Sequence, residues 1–303
     1  MAEVKLDKIL QMKRLEPDDK LNTIVKNGLQ KLVGPEQLSQ EASPLWDANY
    51  FGLHNSKVFN GVSPEQQQDI VKKCSAGFLN EALFIEQSGL AFGAKMSLLA
   101  ESVEERMLYG LFMADETTHY HHVRRFLPEL GAHSSPNEFH YLLTQLIEEG
   151  DRESLVFSIQ VVLEGWGLTH YRSLADGCLS PAFQEVLHSI LRDEARHHGS
   201  GIILCKRRGL PPQSREFVFE ILSNFLGMVQ MGPQAIVQAL EEVSGNFTRV
   251  QRIKAFEELD TLNHSQQRLT LLKSLMEQDG FHDIVAKLDS YKLFKAKSAG
   301  ECA

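Results

Sequence analysis

Glu86 is followed thirty residues later by Glu116, and Glu116 three residues later by His119; Glu164, Glu194 and His197 repeat that spacing seventy-eight residues further on. Asp115 and Asp193 stand directly before the second glutamate of each set, and they form the only two Asp-Glu dipeptides in the chain. The pairs Gly89-Leu90 and Gly167-Leu168 fall three and four residues after the first glutamate of each set. Four carboxylates and two imidazoles balance the charge of two divalent or trivalent cations. Such an oxygen-rich donor set suits iron or manganese better than structural zinc, which favours Cys and His. One glutamate from each of two helices, with Glu-x-x-His from each of two more, is the ligand plan of a dinuclear metal site in a helical bundle.

Glu-x-x-His carries little weight by itself. With 12 His among 303 residues and 27 Glu, about one such pair arises by chance. The chain holds a third, Glu185 with His188, but Leu155 stands thirty residues upstream of it and no aspartate precedes it. It lies nine residues before Glu194, which at about 3.6 residues per turn places it on the opposite side of the same helix. Glu185 and His188 are therefore expected at the surface.

Within each true pair, Glu and His are three apart, about 4.5 Å along a helix axis and within about 60° in angle, so both can reach one metal. The first glutamates follow apolar runs, Leu83-Phe84-Ile85 before Glu86 and Val161-Val162-Leu163 before Glu164. A bare carboxylate aimed into such a core costs several kcal/mol or stays protonated, and bound cations remove that cost. Asp115 and Asp193 each lie four residues before a ligand histidine and so share its face; they are expected to accept the second ring N–H of that histidine. Arg196 is expected to pair with one of these aspartates inside the bundle, with the surface as its alternative place. Of His121, His122 and His198, only His122 falls where it can still face the core. Gly89 and Gly167 leave either close helix packing or room for a substrate. Gln160, four before Glu164, and Tyr109, seven before Glu116, sit on ligand-bearing faces and are expected to touch that substrate. Phe112 and Ile190, each four before a ligand glutamate, read as cavity wall or plain core, and Phe157 joins Phe112 against the substrate.

Positioning these residues requires long helices. Ser63-Pro64 with Gln66 predicts an N-cap, a first-turn proline and a capping box opening a helix that runs to about Ala100. A second helix spans about 102–127 and stops before Pro128, and Leu130–Pro136 reads as loop. A helix over about 137–149, ending near Gly150, returns the chain along the bundle before a third long helix at about 152–175. The fourth starts at Ser180-Pro181 and runs to about Arg208, stopped by Gly209 and Pro211-Pro212. Residues 1–62 read as a helical N-terminal extension broken at Pro17, Gly34-Pro35 and Ser43-Pro44, whose aromatics Trp46, Tyr50 and Phe51 pack on the main body. Residues 209–303 read as a C-terminal helical extension broken at Gly232-Pro233, Gly245-Asn246 and Gly280, with Leu269, Leu272, Leu275 and Met276 along one face. The expected fold is all-α, with residues 63–208 as a four-helix bundle carrying one long crossover.

The net charge of −9 and the absence of a long Lys/Arg run argue against nucleic acid or an anionic membrane as the main partner. Met1–Leu10 has no apolar h-region or cleavage site, and no apolar run approaches the ~18 residues of a membrane span. Cys74, Cys178, Cys205 and Cys302 form no Cys-x-x-Cys pair, which fits a reducing cytoplasm.

At Glu86, Asp115-Glu116-x-x-His119, Glu164 and Asp193-Glu194-Ala195-Arg196-His197 the chain resembles the ferritin-like di-iron carboxylate superfamily, over about residues 65–208. Asp-Glu-x-Arg-His in the fourth helix is similar to the form seen in its O2-activating branch, such as bacterial hydrocarbon monooxygenases and acyl-carrier-protein desaturases. Several branches fit poorly. Val123 stands where the ribonucleotide reductase small subunit carries its radical tyrosine, the Cys-rich tail of rubrerythrins is missing, and ferritins and bacterioferritins are much shorter. Thr118 stands in helix two where helix four has Arg196.

The resemblance implies two iron ions, with manganese or a mixed Mn/Fe pair as alternatives, and O2 as co-substrate. It implies Glu86 and Glu164 as terminal or shifting carboxylates and Glu116 and Glu194 as bridges. The expected activity is oxidation of a small, largely apolar organic substrate, with an external electron donor such as a ferredoxin or reductase and a homodimer as a possible assembly. The competing expectations are a ferroxidase, a peroxide-consuming manganese enzyme or a Mn/Fe oxidase, and a structural helical protein stabilised by metal. A cavity beside the metals argues against the last of these.

Overall fold

The computed structural model describes residues 15–33, 44–127, 137–278 and 280–303, and every regular element among them is helical. The Met1–Leu10 segment, the breaks expected at Gly34-Pro35 and Ser43, and the loop expected over Leu130–Pro136 lie outside the described residues. No helix among the described residues is long and apolar enough to cross a membrane.

Local chemistry sets the helix bounds. After α1 (Lys20–Val33) and the short α2 (Lys57–Gly61), α3 (Pro64–Leu99) opens on the expected capping box, in which Ser63 accepts from the Gln66 N–H and Gln66 accepts from the Ser63 N–H. Ser102 caps α4 (Val103–Arg125) and Asn137 caps α5 (Glu138–Glu149). Lys95 of α3 donates to the carbonyls of Ile147, Glu148 and Gly150, satisfying acceptors that the end of α5 leaves free. The third long helix is one continuous rod made of α6 (Arg152–Leu155), a π-helical stretch (Val156–Leu163) and α7 (Glu164–Asp176). Ser180 then caps α8 (Pro181–Arg208). Trp46 docks the N-terminal segment as expected, donating its indole N–H to the Leu174 carbonyl at 2.9 Å and meeting Phe78 and Phe183 edge-on.

Helix directions follow from the order in which each helix meets the core. The buried apolar side chains form two clusters. One holds Phe92, Met96, Tyr109, Phe112, Phe157 and Leu204; the other holds Ile70, Leu79, Val123, Tyr171, Leu187 and Ile190. The repeated glutamates lie between them. Along α3 and α8 the chain passes from the second cluster to the first, and along α4 and the third rod from the first to the second. α4 and α7 therefore run the same way, and the chain must travel back along them between one and the next; α5, packed on α3, lies on that return path.

Six further α-helices follow among the described residues: α9 (Arg215–Gln230), α10 (Gln234–Ser244), α11 (Arg249–Glu258), α12 (Thr261–Met276), α13 (His282–Ser290) and α14 (Ala299–Cys302). The breaks at Gly232-Pro233, Gly245-Asn246 and Gly280 fall between helices as expected. An additional one falls at Asp260, which takes a left-handed conformation (φ 49°). Leu269, Leu272 and Met276 are fully buried, so this region packs on the body rather than standing apart.

Candidate metal centre

Glu86 from α3, Glu116 and His119 from α4, Glu164 from the start of α7, and Glu194 and His197 from α8 converge in the layer between the two apolar clusters. Ligand atoms of Glu86, Glu116, His119 and Glu194 lie within 4.8 Å of one another, as do those of Glu164, Glu194 and His197. Glu194 belongs to both groups. Glu116 also spans them, with one oxygen 3.7 Å from His119 Nδ1 and the other 3.4 Å from His197 Nδ1. This is a donor set that could hold two cations with shared carboxylates. Glu185 and His188 stand exposed, and His122 belongs to neither group.

The aspartates serve the histidines, but crosswise. His119 Nε2 lies 3.1 Å from Asp193 Oδ2, and His197 Nε2 lies 3.1 Å from Asp115 Oδ2. The expectation that each aspartate holds the histidine of its own helix is corrected here. α4 and α8 run antiparallel, so Asp115 stands level with His197 and Asp193 with His119, and the facing histidine is nearer than one a turn along the same helix. With Nε2 directed at a carboxylate, each ring turns Nδ1 toward the cluster, where it holds a proton in the metal-free protein and would offer its lone pair to a cation that replaced that proton. Arg196 ties the two aspartates together, at 2.7 Å from Asp115 and 3.0 Å from Asp193, but from the rim with 52% of its side chain exposed. Its expected pairing therefore occurs at the surface end of the site and not inside the bundle.

Tyr171 was not singled out by the sequence pattern. It is buried on α7, seven residues or two turns after Glu164, and donates its hydroxyl to Glu86 Oε1. That spacing puts it on the ligand-bearing face, so the signal was present. Gly89 settles its own ambiguity. A Cβ there would sit 2.5 Å from Glu116 Cδ and 2.7 Å from its Oε2, so the missing side chain is what admits the glutamate.

The charges in this layer demand positive partners. Burial pushes the Glu116 carboxyl well above the usual range, and repulsion from Glu86 and Glu194 adds to it. Burial followed by repulsion from Glu194 and Glu86 does the same to Glu164, against the pull of His197. Burial also opposes charge on Glu86, but hydrogen bonds from His119, Glu116 and Tyr171 outweigh it and hold that carboxyl low. Against burial, Asp193, Glu116 and Glu86 raise His119 well above the imidazole range, and Asp115 and Glu194 raise His197 to about 10. Protons or metal ions must supply this compensation. Glu164 Oε2 and His197 Nδ1 are buried without a hydrogen bond. Buried polar atoms without partners are costly, and a coordinated cation satisfies both.

A cavity of about 80 Å³ opens beside the carboxylates. Glu116, Glu164 and Glu194 line it, and the rest of the lining is mainly apolar, including Ile85, Phe92, Ile159, Leu163 and Trp166. Gly89 and Gly167 line it as expected. At Gly167 a Cβ would meet nothing within 4 Å, so this glycine provides room whereas Gly89 provides contact.

Phe112 and Ile190 take the core alternative of their reading, and Tyr109, Phe157 and Gln160 do not line this cavity, contrary to expectation. The π-helical stretch explains two of them. The Glu164 N–H bonds to the Ile159 carbonyl, five residues back, so Ile159 takes the face that α-helical phase assigns to Gln160. Gln160 turns toward α8, where it donates to the His197 carbonyl at 3.2 Å and Ser200 Oγ at 3.1 Å, and accepts from the Tyr109 hydroxyl at 3.0 Å. Gly201 permits this approach, since a Cβ there would lie 2.4 Å from the Gln160 Cβ. Phe157 stacks on Phe281 of the C-terminal region, with ring centroids 3.8 Å apart. Phe112 stacks on the His197 ring at 3.5 Å and 15°, and Ile190 is plain core.

Comparison with protein-family models, with curated proteins and with solved structures finds no match. The chemistry assigned to this centre therefore rests on its own residues.

Proposed function

We propose that the chain is an O2-dependent, non-haem di-iron oxidase or oxygenase of ferritin-like architecture, acting on a small, largely apolar organic substrate. The observation that carries this reading is the apolar cavity lined in part by Glu116, Glu164 and Glu194, because a purely structural metal needs no such space. The antiparallel α3/α4 and α7/α8 pairs, with a return path between them, support the ferritin-like arrangement.

Two iron ions bound by the six residues would supply O2 reduction and substrate oxidation, with electrons from an external donor such as a ferredoxin or reductase. The chain contributes the setting for that chemistry. Glu116 and Glu194 sit between the two histidines and would bridge. Tyr171 holds Glu86, which would serve as a terminal ligand, whereas Glu164, a lining residue of the cavity with one oxygen lacking a hydrogen bond, would have latitude to shift. Asp193 and Asp115 orient the histidines, Phe112 covers one imidazole face, and the apolar lining keeps water from a bound substrate.

The test is anaerobic Fe(II) titration with elemental analysis, followed by O2 and product analysis on a panel of apolar organic compounds. Two iron ions per chain and oxidation of an organic compound coupled to O2 uptake are expected. Rapid peroxide loss with every organic compound unchanged, or a strict preference for manganese, would overturn the reading.

A further inference from the structure

A second, larger pocket of about 590 Å³ adjoins the cavity at the carboxylates. Trp166 and His170 line both spaces, and their rings stack with centroids 5.8 Å apart and 19° between planes. One pair of rings on α7 is therefore the partition between an inner apolar space and an outer one.

The outer pocket differs from the rest of the molecule in charge. The chain carries a net charge of −9, yet no Asp or Glu among the described residues lines this pocket. Arg268 of α12 does line it and forms no ion pair among the described residues. Tyr50, Asn55, Ser173 and Gln267 add neutral hydrogen-bonding groups. Burial and the Arg268 charge push His170 down to about 4, so the partition itself is neutral at physiological pH. Glu81, whose carboxyl also feels Arg268, does not line the pocket; burial pushes its carboxyl up against the pull of Arg268. The pocket thus holds one permanent positive charge, which matches a monoanion better than a phosphate ester of higher charge.

We infer that the two spaces together bind an organic monocarboxylate with an apolar body, its head at Arg268 in the outer pocket and its tail passing Trp166 and His170 into the inner cavity. This rests on the proposed oxidase reading only for what happens to the tail, which is brought to Glu116, Glu164 and Glu194. Carboxylate capture fixes the orientation, and burial of the apolar tail supplies affinity that grows with chain length. Trp166 is half-buried and meets Phe225 of α9 edge-on, with centroids 5.4 Å apart.

The experiment is calorimetric titration of the metal-free full chain under nitrogen with sodium octanoate and with uncharged 1-octanol. One octanoate per chain is expected. Arg268→Gln, on an exposed side chain that can be changed without touching the core, should weaken octanoate at least tenfold while changing 1-octanol less than twofold. Gly167→Leu, whose Cβ meets nothing within 4 Å but whose outer atoms enter the inner cavity, should also weaken octanoate at least tenfold. Absence of octanoate binding by the unaltered chain overturns the inference. So does binding that Arg268→Gln leaves intact, which would mean adsorption elsewhere, or binding that Gly167→Leu leaves intact, which would confine the acid to the outer pocket. Neither metal nor O2 enters the measurement. Failure here with normal iron loading removes only this inference, and failure of O2 chemistry with octanoate bound removes only the oxidase reading.

Discussion

Glu194 belongs to both candidate ligand groups, so its loss should be felt at both. Glu194→Ala and His197→Ala are expected to lose most bound iron in elemental analysis, whereas the chemically similar changes Glu185→Ala and His188→Ala, on the exposed side of α8, should retain it. Equal loss in both sets would show that the six residues do not bind metal. Tyr171 offers a finer test. Its hydroxyl is a donor to the buried Glu86 carboxylate, and Tyr171→Phe removes that donor without opening a cavity. Hydrogen bonds to charged groups contribute about 1.5–3 kcal/mol, so urea unfolding of the metal-free variant should show a loss of that order. An unchanged midpoint would mean that Glu86 draws its support from His119, which lies 3.2 Å away, and from Glu116, without the tyrosine. The ligand residues and this tyrosine were both written in helical spacing, yet only the ligands repeat, and repetition is what made them legible.

At the scale of elements, helix boundaries were readable because they are set by local chemistry: Ser63 with Gln66, Ser102, Asn137 and Ser180 each cap a helix where the sequence placed one. Contacts between helices were not readable from spacing alone. The crossed pairing of Asp115 with His197 and Asp193 with His119 depends on the antiparallel register of α4 and α8, which no single helix encodes. The π-helical stretch was hidden for a different reason. Val156–Leu163 is buried almost throughout, so it offers no polar face from which a change of period could be seen. The two repeat glycines separate these kinds of information. Gly89→Ala forces Glu116 out of place, so competition with a chelator should show at least tenfold weaker metal binding. Gly167→Ala has open space around it and should keep its metal, with a gain of about 0.5–1 kcal/mol in thermal unfolding from better helix propensity. Similar metal loss in both would mean that α3 and α7 approach their ligands alike, against the geometry described.

For the whole molecule, the buried layer couples folding to protons and to metal in opposite ways. In the metal-free protein the folded-state pKa values of His119 and His197 lie above the unfolded value of about 6.5, that of His197 at about 10. Their stabilisation is therefore complete below about pH 6.5 and is lost as pH rises through the folded values. Glu116 and Glu164, also raised, add a loss of the same sign once pH exceeds about 4.3, the ordinary glutamate value. Glu86, Asp115 and Asp193 are lowered, so their contribution is present above the ordinary carboxylate range and disappears only as pH falls below it. Metal-free protein should thus lose several kcal/mol between about pH 6.5 and 9, since each tenfold difference in proton affinity between the folded and unfolded chain is worth about 1.4 kcal/mol. Cations at the same residues replace the protons, and their binding strengthens as the ligands deprotonate, so metal-loaded protein should hold its stability over that range. Saturation at about a hundred times the dissociation constant adds roughly 2.7 kcal/mol at any one pH, and the gap between loaded and chelated protein should widen as pH rises. Urea unfolding midpoints from about pH 5 to 9, with Fe(II) under nitrogen or with a chelator, measure that gap directly. Parallel curves would mean that the carboxylate and histidine layer is neutralised by neither protons nor metal in the way its geometry requires.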